Sequence, residues 1–268
     1  MGQRDRRSAL TRAWTSAAFL SAVSLACPTW SQAEKGSAQS PVAHTINIGD
    51  QKVRLTVETF GAGGLRFLNL HENESTSVLA ARDVLKSLPG TLITVHNKGT
   101  RLISFTLDGQ TFTFDPNRIF TDAGIERSLR KYGPYSPSAH HQIAILRGAI
   151  LEMLEDQASP LVIALHNNTP GDYSILEYLP SGSEAQSAKE VFVNPALSPD
   201  DFFLVTAPAL FAKLRSAKFN VVLQSETPVD DGSLSVWFQQ QHRPYANVEA
   251  LPTHQAVQRS MLGAIAAP

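Results

Sequence analysis

Short apolar runs along the chain alternate with stretches in which apolar residues return at helical spacing, so strands and helices are predicted in turn. Residues 45–60 (TINIGDQKVRLTVETF) alternate apolar and polar positions and break at Gly49-Asp50, the pattern of a hairpin. Leu65–Leu70 reads as a buried strand. Over Thr76–Leu88, the residues Val78, Ala81, Val84, Leu85 and Leu88 share one helical face; Ser75 or Thr76 offers a cap, and Pro89-Gly90 ends the helix. Strands are predicted at Thr91–Val95, Leu102–Leu107 and Thr111–Phe114, with a turn at Asp108-Gly109, and a long helix over Ala139–Leu154. Leu161–Leu165 is again a buried strand. Further strands are expected at Ser174–Tyr178, Phe202–Val205, Asn220–Gln224, Leu234–Phe238 and Tyr245–Val248, with short helices at Ala185–Val191 and Ala209–Ala217 and a closing helix at His254–Ile265. Strands alternating with helices predict an α/β fold layered around a mixed, mostly parallel sheet. In such sheets sites gather at the carboxyl ends of strands, where His71 and His166 fall.

Composition narrows this picture. Of the 268 residues, 43% are hydrophobic, enough for a true core and unlike a disordered, collagen-like or coiled-coil chain. A formal net charge of -1 leaves no basic footprint, so no nucleic-acid partner is expected. The single cysteine, Cys27, allows neither an intrachain disulfide nor a cysteine-based zinc site; a metal would have to rest on His, Asp and Glu. The first residues carry Arg4, Arg6, Arg7 and Arg12, an apolar run from Ala17 to Ala26 too short to span a bilayer, and the small-x-small triplet Ser31-Gln32-Ala33. We read residues 1–33 as a signal peptide, 34–45 as a linker and 46–268 as one domain. The mature chain is expected to have no transmembrane segment and to be periplasmic or secreted.

The run Leu65–Leu70 stops at a polar burst, His71-Glu72-Asn73-Glu74-Ser75-Thr76. His71 and Glu74 form an H-x-x-E pair, which past a strand end can aim two ligands at one ion. Zinc takes nitrogen and carboxylate oxygen, and needs a third protein ligand; His166, which ends the apolar run of Val162–Asn168 (VIALHNN), is a candidate. On these residues alone, a solvated loop is an equal reading.

A further stretch, Asp115-Pro116-Asn117-Arg118-Ile119-Phe120, widens the pattern. Taken in order, His71-Glu72-Asn73-Glu74, this D-x-N-R-x-F segment, the strand-ending His166 and Glu249 in YANVEA resemble the zinc carboxypeptidase superfamily, closest to its succinylglutamate desuccinylase/aspartoacylase branch. The resemblance covers roughly residues 65–262, and it implies a three-layer α/β/α fold. It implies that His71, Glu74 and His166 hold one zinc ion, that Asn117 and Arg118 bind a substrate carboxylate, that Arg101 steadies an oxyanion or a carboxylate, and that Glu249 is the general base. Pro116 stands where the branch usually has leucine, and Ala164 where it often has aspartate. For the tyrosine that closes over substrate in the carboxypeptidases, Tyr178 and Tyr245 are the candidates.

The remaining histidines carry no such pattern. His96 and His242 are expected to be structural, His140-His141 a solvated pair at a helix start, and His254 helix surface. The function expected is a zinc-dependent hydrolase of an amide bond beside a free carboxylate. Its substrate would be a short peptide, or an N-acyl amino acid if the chain is a deacylase. A carboxylate-binding protein without catalysis is the alternative of another class.

Overall fold

The computed structural model of the chain describes residues 39–155 and 161–266; the stretch read as a signal peptide, 1–33, and the first part of the linker lie outside the described residues. Strand β1 (Val42–Ile48) begins inside the span read as linker and pairs with β2 (Gln51–Phe60) around the expected turn at Gly49-Asp50. Next come β3 (Leu65–Asn69), α1 (Ser75–Leu85), β4 (Gly90–His96), and a separate hairpin, β5 (Ile103–Leu107) with β6 (Gln110–Phe114). Two helices follow, α2 (Asp122–Tyr132) and α3 (Pro137–Met153), then β7 (Val162–Asn167), β8 (Ala188–Phe192) and β9 (Phe202–Val205). The chain closes with α4 (Pro208–Ser216), β10 (Val221–Gln224), α5 (Leu234–Gln240), β11 (Tyr245–Ala250) and α6 (Gln255–Ala266).

Nine strands form one mixed sheet in the order β1-β2-β4-β3-β7-β11-β9-β10-β8. Its centre, β4-β3-β7-β11, is parallel throughout; antiparallel pairings lie toward the edges, where β2 meets β4, β11 meets β9, and both rim strands join. Side chains leave a strand on alternate faces, and neighbouring residues of β3 show the result. Leu68 packs with residues of α2, α3 and α5 in one cluster, while Phe67 packs with residues of α1, α4 and α6 in the other. Burying each such side chain contributes about 1.5–3 kcal/mol. The sheet is therefore covered on both faces, and the architecture is α/β/α.

Local sequence explains most of these elements. Thr121 accepts a hydrogen bond from the Gly124 N–H and caps α2; Ser136 accepts from the Ala139 N–H and, with Pro137 at the first turn, starts α3. Three expectations fail. Leu234–Phe238 is helical, not a strand: Ser233 caps it, and a short apolar run has no period that separates the two states. Ser174–Tyr178 is a single 3₁₀ turn, Ile175–Tyr178, capped by Ser174. Ala185–Val191 is a 3₁₀ turn followed by the edge strand β8. Helix α1 starts at Ser75, with Glu74 at the cap position and no side-chain capping bond.

Two glycines fix the approach of the loop before α5 to the start of α2. Gly232 has φ +80, and a Cβ there would lie 2.5 Å from the Gly124 Cα, too close for any side chain. Gly232 in turn accepts from the Phe120 N–H at 2.9 Å, so Asp230 and Asp231 are brought beside the Asp115–Arg118 segment.

Candidate metal centre and its cavity

The chain leaves the sheet at the carboxyl end of β3 and turns at once: the Glu74 N–H donates to the His71 carbonyl at 3.0 Å. Ser77 pins that turn, its hydroxyl donating to the Glu74 carbonyl at 2.7 Å and its N–H to Asn167 Oδ1 at 3.0 Å. Glu74 is thereby freed from capping α1, and its carboxylate faces two histidines. Glu74 Oε1 lies 2.9 Å from His71 Nδ1, and Oε2 lies 3.0 Å from Nδ1 of His166 on β7. The exposures are 0% for His71 and 3% for both Glu74 and His166. Burial opposes ionisation of Glu74, but the two imidazoles outweigh it and hold its carboxyl far below the usual range. The His71 ring is likewise disfavoured as a cation by burial, and the Glu74 and Asp115 carboxylates overcome this and raise its pKa.

His71, Glu74 and His166 each offer a ligand atom within 4.8 Å of the others', the one such group among the described residues. The donor set fits zinc, which binds imidazole nitrogen and carboxylate oxygen. His71 Nδ1 meets Glu74 Oε1 at 2.9 Å and His166 Nδ1 meets Glu74 Oε2 at 3.0 Å, so two ring nitrogens crowd one buried carboxylate; His166 Nε2, on the other side of its ring, is buried without a partner among the described residues. His71 Nε2 is engaged on its far side by Asp115 Oδ1 at 2.8 Å. A carboxylate behind a histidine sets the tautomer and leaves the near nitrogen free, as in metal sites generally. Asp115 also accepts from the Asn117 N–H at 2.8 Å, so it caps the turn at Pro116–Arg118. Burial opposes its charge, but His71, then Arg101 and Arg118, hold its carboxyl well below the ordinary range.

A cavity of about 760 Å³ opens onto this group. Of the site residues named from the sequence, Glu74, Arg101, Asn117, Arg118, His166 and Glu249 line it; His71 does not, and is tied to the lining residues Glu74 and Asp115. Arg101 bonds Glu74 Oε1 at 2.6 Å and lies 3.6 Å from Asp115 Oδ2. Arg118 donates to the Asn117 carbonyl at 2.9 Å and pairs with Asp231 at 3.5 Å. Asn117 Oδ1 accepts from the Leu234 N–H at 3.4 Å. Glu249 stands opposite His166 in the β7–β11 register, which brings an acid in an apolar strand to the same end of the sheet. Burial raises its pKa; nearby His166 works the other way and Glu74 adds to the rise.

Sequence reasoning missed the tie between Asp115 and His71, the acid Asp231 beside Arg118, and the cavity residues Arg127, Lys131, Tyr173 and Asn247. Asn247 was within reach, because it sits two residues before Glu249 on the same strand face. Tyr178 and Tyr245 both line the cavity and both are buried. Tyr178 shares a hydroxyl hydrogen bond with Tyr173, and the Tyr245 ring stacks on Phe238 with centroids 5.1 Å apart. Of the other histidines, His96 binds Thr56 and Glu72, His254 binds Asp201 at 2.7 Å, and His140 faces Asp122 at 3.5 Å. His242, with φ 52, sits in the turn after α5.

No family model matches the chain, and no curated protein matches it. Solved structures that are similar to it include a provisionally named metallopeptidase from Shewanella baltica OS155, with 15% identity, 84% of this chain and 83% of that one covered, and a TM-score of 0.36. A second provisionally named metallopeptidase, from Shewanella denitrificans OS217, gives 14% identity, coverage of 84% and 81%, and a TM-score of 0.38. A succinylglutamate desuccinylase/aspartoacylase from Rhodobacter sphaeroides gives 13% identity, coverage of 90% and 67%, and a TM-score of 0.42.

Proposed function

We propose that the chain is a zinc-dependent hydrolase that cleaves an amide bond next to a free carboxylate, in the manner of a metallocarboxypeptidase. The observation that carries this reading is the convergence of His71, Glu74 and His166 on one point in a cavity that also holds a buried acid, Glu249, and three arginines, Arg101, Arg118 and Arg127. His71, Glu74 and His166 would hold one zinc ion, with Asp115 fixing the His71 ring. When bound, zinc supplies Lewis acidity, polarising the scissile carbonyl and acidifying water. Arg118 takes the substrate carboxylate in its planar fork, exchanging the half-exposed Asp231 for a better-matched partner. Asn117 sets the rim of that subsite. Arg101 faces the developing oxyanion. Glu249 removes the proton from the attacking water at its carboxylate and returns it to the leaving nitrogen; burial raises its pKa and so makes it a stronger base than an ordinary carboxylate.

Arg127 and Lys131 beside Arg118 favour a second reading within the same chemistry, a deacylase of N-acyl amino acids whose acyl group is itself acidic. The basic start and short apolar run support export to the periplasm or medium. No helix of the described residues is long and apolar enough to cross a membrane.

One preparation of the native protein tests these statements. Elemental analysis should find about one zinc per chain, and mass spectrometry a chain starting near Glu34. Peptides and N-acyl amino acids with a free carboxylate should be cleaved, and their amidated counterparts should not. A metal-free protein that still binds free carboxylates would make it a binding protein instead, and equal cleavage of amidated substrates would remove Arg118 from recognition.

A further inference from the structure

Alternate residues of β11, Tyr245, Asn247 and Glu249, line the cavity, while Ala246 and Val248 pack into the core on the other face of the sheet. Asn247 is 6% exposed, and its one side-chain hydrogen bond runs from Nδ2 to Glu249 Oε1 at 2.9 Å. A carboxylate has only acceptors, so this bond fixes which end of the amide faces Glu249. The other end, Oδ1, is buried and has no partner among the described residues. An amide with an orphaned acceptor in a strand core costs stability that leucine, nearly the same shape, would not. The only return visible for that cost is the bond to Glu249.

We propose that Asn247 is a positioning residue for Glu249. One N–H of its amide holds Oε1, and Oε2 is left facing the cavity: among the described residues no group donates to Oε2, and it is not among the fully buried polar atoms lacking a partner. The carboxylate is thereby turned so that one oxygen is committed to the strand and the other meets the water to be deprotonated. The spacing does this without help from any loop, since positions i and i+2 of a strand project side by side from one face.

This inference rests on Glu249 being the base, and the test separates the two. In Asn247→Leu, kcat should fall about 10–100-fold, the worth of a hydrogen bond to a charged group, while KM and zinc content stay as in the wild type. Asn247→Asp keeps the shape, removes the donor and places an acceptor against Glu249, so its kcat should fall at least as far. A merely structural Asn247 would instead lower the melting temperature and leave kcat of the folded fraction unchanged. The second measurement needs no substrate: a double-mutant cycle of Asn247→Leu and Glu249→Leu by denaturant unfolding at neutral pH. We expect about tenfold non-additivity in the unfolding constant, with Asn247→Leu stabilising once Glu249 is already leucine. Wild-type kcat in a folded, zinc-loaded Asn247→Leu protein, or an additive cycle, overturns the proposal. If the wild type cleaves no amide, the hydrolase reading falls and the cycle still decides whether Asn247 holds Glu249.

Discussion

Glu72 and Glu74 stand two residues apart in one polar burst, and each faces histidine, yet they build opposite environments. Glu72 accepts from His96 Nδ1 at 2.8 Å and from the N–H groups of Asn97 and Gly99 at 2.5 and 2.7 Å, while His96 Nε2 bonds Thr56 at 2.8 Å. Each polar group in that cluster has a partner, and its carboxylate is a quarter exposed. It ties the loop after β4, where Lys98 and Gly99 have positive φ, back to the turn after β3. The Glu74 cluster is buried, holds two histidines instead of one, and crowds a ring nitrogen of each against one carboxylate, at 2.9 and 3.0 Å. The difference teaches that residue type does not mark a site. A lone histidine–carboxylate pair is a clamp; a buried carboxylate flanked by two histidine nitrogens is a donor set that an ion can take.

The widest separation of the two clusters should come from parallel substitutions. Glu74→Gln should lose zinc and with it all measurable hydrolysis. Glu72→Gln should keep full zinc content and a kcat within about twofold of the wild type, since its carboxylate faces the loop after β4 and does not line the cavity, so its loss acts on stability and not on the transition state. Elemental analysis and steady-state kinetics on the same preparations read both. Zinc retained in Glu74→Gln, or lost in Glu72→Gln, would merge the clusters and dismantle the assignment.

Glu249 sharpens the contrast from inside the site. Glu249→Gln keeps the side-chain size and a partner for Asn247, but cannot take a proton at neutral pH. Removing a general base typically costs about 10²–10⁴-fold in rate, and we expect a loss of that order in kcat with KM, zinc content and melting temperature nearly unchanged. A zinc-loaded variant that turns over normally would leave Glu249 as an acid held by the fold for other reasons.

How far the sequence speaks depends on the kind of signal. β7 is legible because a strand buried on both faces is a continuous apolar run, so the His166 that breaks it stands out; β3, interrupted by Arg66 and Asn69, is legible from Phe67, Leu68 and Leu70 and from the polar burst that opens at His71. Helix α2 was not foreseen: only Ile125 and Leu129 among its large side chains are apolar and buried, too few to show a period. Helix α5 was misread because LSVWF is apolar on every side, and its state is decided by Ser233 and by packing against β11. The roles of Asp115 and Glu72 were hidden for another reason. Their partners, His71 and His96, are 44 and 24 residues away: the pairing of β3 with β4 brings His96 to Glu72, and Asp115 reaches His71 from the end of the separate β5–β6 hairpin. Long-range pairing of polar groups leaves no local pattern, whereas chemistry at a strand end does.

The smallest expected effect tests whether Glu72 is the clamp described. Burial works to raise its pKa, but the Gly99 N–H, the His96 ring and the Asn97 N–H outweigh this and hold it below the ordinary 4.5. A carboxyl whose pKa is depressed on folding binds protons more tightly when unfolded. Its contribution is therefore present above 4.5 and is lost as pH falls through the lower folded value. Glu72→Gln removes the charge and keeps one acceptor, so its stability should not share that loss. We expect the wild type to melt above Glu72→Gln at neutral pH, by a margin worth about 1–3 kcal/mol for hydrogen bonds to a partly exposed charged group. In a domain of this size that is about 2–4 °C per kcal/mol. Melting curves taken from neutral pH down through the carboxylate range should show the margin shrinking on the acid side and not on the neutral side. Because Glu74 and Asp115 are intact in both proteins, their own acid lability cancels in the comparison. A margin that is constant with pH would mean that Glu72 holds the loop by shape alone, and a margin that grows in acid would contradict the depressed pKa itself.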